Sequence, residues 1–295
     1  MKFGLIANTR KELFWQALPA LLKWFEEHGV KVLISHRIAE NPNSPANTFS
    51  IVDEKELPQH CDMILAIGGD GTILNTVHLV GEKGTPILGI NAGGLGFLTE
   101  IPLENFTAEF EKILKNEYHT EKRVMLRGQI DGDPQPLYAI NEILIDKGSS
   151  VRVIQIEMEI DGQFLNNYIA DGVLVSTPTG STGYSLSSGG PIVVPSTNVL
   201  VINPVCPHSL TNRPIIIPSD AKIKAVIRTE SPEFIIAADG RDVHYCKTRT
   251  QLTISKAPFY AHLVKPLNSN FFRLLHSKLN WAKDFRDKKR WSYDS

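Results

Sequence analysis

Cysteine is scarce in this sequence and badly placed for cross-linking or metal binding. Cys61, Cys206 and Cys246 are odd in number, far apart and in no CxxC spacing. That excludes a disulfide framework and a clustered zinc site, and leaves reduced thiols in a cytoplasmic protein as the simplest account. Long apolar runs are missing too. No stretch reaches the roughly 20 residues of a membrane span. The opening Met1-Lys2-Phe3-Gly4-Leu5-Ile6-Ala7 is too short for a signal peptide and reads as a first strand. Nor does charge of one sign accumulate: 31 Lys and Arg stand against 32 Asp and Glu, a formal net charge of −1. No global basic field is present to gather nucleic acid. The densest charge run, residues 283–290, reads as a solvated terminus.

What is present is enough apolar material, 42% of 295 residues, for one large domain or two modest ones. The first third alternates strands and helices. Residues 2–7 form a strand, and 11–28 show helical spacing with Leu18, Leu21, Leu22 and Phe25 on one side. Pro19 should kink or interrupt that helix, and Gly29 should close it. A strand at 30–35, a Pro-containing loop at 41–47, an apolar strand at 62–67, a helix through Leu79 and a strand at 86–90 follow. Short, wholly apolar strands separated by helices point to a parallel sheet covered on both faces.

From about Thr120 the rhythm changes to strands linked by turns, at 123–131, 137–146, 151–160 and 163–170. Asp131-Gly132-Asp133 and Asp161-Gly162 are the turn signals. Further strands are expected at 172–176, 222–228, 233–238, 251–255 and 260–265, and a last helix at 271–278. The expected organisation is a Rossmann-like α/β domain with a parallel sheet over 1–118 and a β-rich, sandwich-type domain over 119–266. Residues 267–295 form a helix and tail that pack back on the first domain.

Two motifs carry chemistry. Gly68-Gly69-Asp70-Gly71-Thr72 follows a buried strand and opens a helix. Consecutive glycines bring backbone N–H groups close to phosphate oxygens, and a helix start adds a favourable dipole. An acid inside an anion-binding loop needs a reason: it binds the magnesium that accompanies ATP, accepts a proton from an attacking hydroxyl, or merely caps the helix. The loop is neither GxGxxG nor a Walker loop. The second motif runs from Asp171 to Ser187, an apolar strand entering a turn dense in hydroxyls and glycine. Hydroxyls and free N–H groups at a helix start cradle a nucleotide's ribose and phosphates, and Tyr184 offers a ring face to a base. Helix capping accounts for only one or two of those hydroxyls. Asn141-Glu142, at the start of an apolar strand, pairs an amide with a carboxylate. The Gly-rich turn from Asn91 to Gly96 reads either as a second wall of the cleft or as a tight turn with Phe97 and Leu98 in the core. His208 and Arg213 are polar candidates without an assigned role.

With these residues in view, the chain resembles the NAD kinase family. The resemblance runs over residues 1–281 and is carried by GGDGT at 68–72, NAGGLGFLTEI at 91–101, Asn141-Glu142, and DGVLVSTPTGSTGYSLSSGGPIV at 171–193. PHSLTNRPIII at 207–217 and FFRLLHSKLNW at 271–281 add to it. GGDG occurs also in lipid kinases and phosphofructokinases, whereas the long hydroxyl-glycine run does not. The resemblance implies transfer of the γ-phosphoryl group of ATP to the 2′-hydroxyl of the adenosine ribose of NAD. It implies Asp70 as base, with Gly68, Gly69, Gly71 and Thr72 as the phosphate loop. Asn141, Glu142, Asp171 and the segment Thr182, Gly183, Tyr184, Ser185, Leu186 and Ser187 would bind the dinucleotide. Arg152 and Arg241 align by spacing with further NAD contacts, and Ile169 stands where some relatives carry a basic residue. No protein residue is singled out as a metal ligand; a divalent cation, Mg2+, comes with ATP. A homo-oligomer, dimer or tetramer, in the cytoplasm is implied as well, with no nucleic-acid or membrane partner. Two rival readings stay open: a lipid kinase sharing GGDGT, expected to show an apolar tunnel or membrane-facing patch, and a non-catalytic dinucleotide sensor, which needs no acid in the phosphate loop.

Overall fold

The computed structural model describes residues 1–42, 44, 49–94 and 96–280. The 283–290 charge run, part of the 41–47 loop and Leu95 of the glycine turn lie outside them. The chain begins with strands and helices in alternation: β1 (Lys2–Ala7), α1 (Glu12–Glu27), β2 (Lys31–Ser35), α2 (His36–Ala39), β3 (Ser50–Val52), α3 (Leu57–His60), β4 (Met63–Gly68), α4 (Asp70–Val80) and β5 (Ile87–Asn91). The strands pair in parallel in the order β3-β2-β1-β4-β5. Every residue of β4 and β5 is buried, which is why both read as unbroken apolar runs rather than alternating ones.

Helix α1 passes unbroken through Pro19, against the expectation of a kink or interruption. A proline in a helix interior costs about 3 kcal/mol. Phe14, Leu18, Leu21, Leu22, Trp24 and Phe25 are buried on one face, and each such side chain contributes roughly 1.5–3 kcal/mol, so packing wins. Gly29, at φ 62°, ends the helix, donating to Glu26 O at 3.1 Å while Val30 N–H reaches Phe25 O at 2.8 Å.

Beyond β6 (Ile101–Pro102) and α5 (Phe106–Leu114) the chain becomes almost wholly β. In order come β7 (Tyr118–Ile130), β8 (Leu137–Ala139), β9 (Glu142–Asp146), β10 (Ile154–Ile160), β11 (Gln163–Ala170) and β12 (Gly172–Ser176). A one-turn α6 (Tyr184–Ser187) separates these from β13 (Val199–Val205), β14 (Ile215–Pro218), β15 (Ile223–Arg228), β16 (Phe234–Ala238), β17 (Asp242–Cys246) and β18 (Gln251–Pro266), and α7 (Phe271–Leu279) follows. Asp161 and Gly162, both at positive φ, make the two-residue turn joining β10 to β11.

One antiparallel sheet has the order β14-β13-β12-β9-β16-β17. The other antiparallel strands, β11-β10-β15-β18 with β7 and β8, continue the N-terminal sheet through a two-residue parallel contact, Leu263 with Ile87 and Val264 with Leu88. Ile143, Ile145, Val173 and Val175 of the first sheet meet Leu126, Ile154, Ile156 and Ile254 of the second in one buried cluster, a sandwich core. Helix α7 buries Leu274 and Leu275, and a cavity beside it is shared with Ile101, Asn105 and Glu109 of the N-terminal part. No helix among the described residues is long and apolar enough to cross a membrane.

Candidate functional site

In an open parallel sheet, the loops at the carboxyl ends of two strands part where the strand order reverses, and a ligand crevice opens there. Here the reversal lies between β1 and β4. The loops that leave them line a cavity of about 290 Å³, in which Arg10, Lys11, Arg37 and Arg241 surround Gly69, Gly71 and Thr72. Its described lining carries no carboxylate. The first turn of α4 adds orphan N–H groups and the positive end of a helix dipole, so the cavity suits a polyanion. Thr72 folds back on the loop: its N–H donates to Gly69 O at 2.9 Å and its hydroxyl accepts from Gly69 N–H at 3.4 Å. Its side chain fills the space a Cβ on Gly68 would need, which is why that position is glycine.

Asp70 is the first residue of α4, yet it does not cap its own helix. Its carboxylate is held by the turn after β5. Phe97 N–H donates to Oδ2 at 2.8 Å, while Leu98 N–H at 2.9 Å, Thr99 N–H at 3.3 Å and Thr99 Oγ1 at 3.3 Å all donate to Oδ1. Among the described residues Oδ2 takes a single donor, so it keeps acceptor capacity for one more. The approach is so close that a Cβ on Gly96 would stand 1.9 Å from Oδ1. Leu98 is buried in the core and Phe97 half-buried, as the tight-turn reading of 91–96 expects, while the N–H groups of residues 97–99 reach Asp70.

Asn141 and Glu142 stand where β9 begins. The Asn141 carbonyl accepts from Thr177 N–H at 2.8 Å and Ser176 Oγ at 3.3 Å, and Gly180 packs so tightly on it that a Cβ would come within 2.1 Å. Thus the hydroxyl-glycine segment is laid directly on the Asn-Glu pair. A Cβ on Gly183 would be 3.3 Å from Glu142 Oε2 and 3.5 Å from Asn141 Nδ2. Glu142 is buried, and Oε2 has no hydrogen-bond partner among the described residues. Burial first, and the nearby charge of Asp239 second, push its carboxyl from 4.5 to about 7. A buried acceptor left unsatisfied by the protein is a seat for a ligand hydroxyl or amine.

The other candidates are distributed less evenly. Arg241 sits against α4, its Nη2 donating to Asn75 Oδ1 at 2.6 Å and Nη1 to Gly71 O at 3.4 Å. Thr182 Oγ1 donates to Thr179 O at 3.1 Å, and Ser185 is fully buried, its carbonyl accepting from Asn203 Nδ2 at 3.0 Å. Leu186 is half-buried; Tyr184 and Ser187 are exposed. Burial and the carboxylates of Asp146 and Asp171 raise the Tyr184 phenol above its ordinary range. Asp171 is ion-paired with Lys147 at 2.8 Å at the start of β12, whereas Glu142 pairs with Ser176 at its end. Five residues of strand, roughly 16 Å at 3.3 Å each, separate the two acids. Arg152 pairs with Glu230 on an exposed groove of about 570 Å³ that also carries Ile169 and His208. That groove is larger than the crevice at β1 and β4, but none of the phosphate-loop residues line it.

Sequence reasoning passed over Asp239. Its side chain is fully buried and takes N–H donors from three successive residues, Ile140 at 2.9 Å, Asn141 at 2.8 Å and Glu142 at 3.1 Å. A fourth comes from His78 Nε2 of α4 at 3.0 Å. Asp239 thereby ties the Asn-Glu pair to the helix that begins with Asp70. In the sequence, Asp239-Gly240 after an apolar strand signals only a turn. Arg10, Lys11 and Arg37 were passed over as well; the available signal was their place just after β1 and β2 of a parallel sheet. Among the described residues no group of three or more His, Cys, Asp or Glu gathers as a metal site.

Comparison with known proteins fits this geometry. Residues 3–118 match the model of the ATP-NAD kinase N-terminal domain, and residues 140–266 that of the C-terminal domain. An NAD kinase of Bacteroides fragilis is 40% identical over 294 residues, covering 97% of this chain and all of that protein. One from Caldanaerobacter subterraneus is 38% identical, covering 94% and 98%. Among solved structures, yeast NADH kinase complexed with NADH aligns with a TM-score of 0.89 at 25% identity, over 98% of this chain and 90% of that one. An NAD kinase from Archaeoglobus fulgidus in complex with ATP aligns at 0.76 and 26%, over 95% and 99%.

Proposed function

The chain belongs to the NAD kinase family, and from that premise we propose that it moves the γ-phosphoryl group of ATP onto the 2′-hydroxyl of the adenosine ribose of NAD, giving NADP and ADP. The observation that carries this reading is the seating of Asp70: a carboxylate fixed by loop N–H groups, with acceptor capacity left on Oδ2, beside a cationic crevice.

Phosphoryl transfer asks a protein for positioning and charge compensation more than for covalent chemistry. The triphosphate lies in the crevice, where Arg10, Lys11, Arg37, Arg241 and the N–H groups of the 68–72 loop offset its charge. Mg2+ belongs to the substrate and travels with the triphosphate. The adenosine ribose of NAD is held by Asn141 and Glu142, whose unpartnered Oε2 takes a ribose hydroxyl, with the 182–187 segment closing over the nucleoside. Asp70 Oδ2 accepts the 2′-hydroxyl proton as the oxygen attacks in line. A cytoplasmic homo-oligomer, dimer or tetramer, belongs to the same reading.

The test is incubation of the purified protein with NAD, ATP and Mg2+, with NADP read through a dehydrogenase that accepts only NADP. Asp70→Asn should cut kcat by about 10²- to 10⁴-fold while NAD still binds. Near-native turnover in that variant would sink the base assignment.

A further inference from the structure

Next to the last residue of strand β18 stands a lysine that the proposed reaction does not use. Lys265 is 2% exposed. Its Nζ lies 2.5 Å from Glu100 Oε1, and the second oxygen of Glu100 accepts from Ser269 Oγ at 2.6 Å. Burial drives the Lys265 ammonium below the usual lysine range, with Glu100 opposing the shift. A buried ion pair is a poor way to stabilise a fold, since well-packed apolar residues of similar volume often do as well or better. What this pair adds is direction. Lys265 Nζ also donates to the Leu98 carbonyl at 3.4 Å, and the N–H of that same planar peptide unit, Thr99 N–H, donates to Asp70 Oδ1. One rigid amide therefore has the lysine on one end and the proposed base on the other. Asn91 also grips the loop, with Nδ2 donating to Gly94 O at 2.8 Å and Thr99 Oγ1 at 3.1 Å.

We propose that Lys265, with Glu100 and Ser269, is a positioning device for Asp70: it clamps residues 97–99 so that their N–H groups hold the carboxylate in line with the ribose hydroxyl. This rests on the reading of Asp70 as the base. The rival is a purely structural seal between the end of β18 and the N-terminal part of the chain. The two differ in what happens once Asp70 has lost its function.

The experiment measures kcat and the KM for NAD for Lys265→Met and Ser269→Ala, each in the native background and in Asp70→Asn. Lys265→Met leaves the half-buried Glu100 without its cation, so Ser269→Ala carries the same test in a variant that removes one hydrogen bond and no charge. In the native background kcat should fall on the order of tenfold for Lys265→Met and two- to fivefold for Ser269→Ala, with KM for NAD nearly unchanged. In the Asp70→Asn background neither substitution should cost anything further, because residues that act as one unit are not additive. Equal losses in both backgrounds, or no loss in the native one, would overturn the proposal and leave the seal. A near-native Asp70→Asn single variant would show instead that the base reading itself had failed, and the clamp would fall with it.

Discussion

Gly96→Ala isolates the geometry of the proposed base from its chemistry. The substitution leaves Asp70 in place and adds one methyl group to the wall it leans on. That Cβ would stand 1.9 Å from Asp70 Oδ1, 2.6 Å from its Cγ and 2.4 Å from Thr99 Oγ1. Real Cβ contacts do not come so close, so the carboxylate must swing away or the loop must move. Gly96 is not in the left-handed region, so alanine brings no backbone strain of its own. Over-packing of this kind costs typically about 1–3 kcal/mol, within the roughly 5–15 kcal/mol that holds a domain folded. The fold therefore survives, with a lowered Tm. Turnover does not, because a displaced base forfeits most of its contribution, about 10²- to 10⁴-fold. NAD binding, followed by titration calorimetry, should change little, since Asn141 and Glu142 are not touched. Gly94→Ala is the control: among the described residues nothing beyond its chain neighbours lies within 4 Å of its Cβ, and its kcat should match the native value. If Gly96→Ala keeps kcat within about threefold of native while remaining folded, Asp70 does not need the seat described for it.

Two more perturbations probe the nucleoside side. The carboxyl of Glu142 sits at about 7 in the folded protein against 4.5 in the free residue, so the stability tied to its protonated form is complete below about pH 4.5 and lost once pH has risen through about 7. Glu142→Gln removes that loss: its Tm should equal the native one near pH 4.5 and exceed it at pH 8, by an amount equivalent to at most roughly 3 kcal/mol. Equal Tm differences at the two pH values would refute the burial argument. Asp239→Asn places an amide where four donors converge and should cost roughly 2–4 kcal/mol while raising the KM for NAD at least tenfold. An unchanged KM would mean that Asp239 does not organise the Asn-Glu pair.

The parts of this architecture that were legible in the sequence are those written locally. The unbroken apolar run before Gly68 announces a buried parallel strand, and the glycines announce a close approach. Asp161-Gly162 announces a two-residue turn. Local signals also misled. Residues 251–266 read as two strands, but β18 is continuous, with its pairing to β7 slipping between Lys256 and Tyr260. β13 was not among the expected strands, and it carries Pro204, a residue that central strands avoid. β14 pairs with β13 only as far as Ile202, so Pro204 lies beyond that ladder and costs it no hydrogen bond. Other features had no local signature. The fully buried Asp239 gathers donors 97, 98, 99 and 161 residues away, and no window along the chain contains them. Arg10, Lys11 and Arg37 look like ordinary solvated charges until the strand order brings their loops to the reversal point.

That contrast suggests how the two halves of the proposed site stay in register. Asp70 sits at the first turn of α4 and His78 near its last, about 12 Å apart along the axis. The helix is held at three places: at Asp70 by the 97–99 loop, at Gly71 and Asn75 by Arg241, and at His78 by Asp239. Two of those three holds, Arg241 and Asp239, come from the same turn between β16 and β17. Asp239 also fixes the backbone of Asn141 and Glu142. One β-turn therefore grips both the helix that presents the base and the pair that would present the ribose. A rigid helix with a shared anchor converts a contact between two parts of the chain into a fixed separation between two chemical groups, which in-line transfer requires. Asp239 therefore matters for catalysis through the distance it sets, and Arg241 both through that distance and through its charge in the crevice.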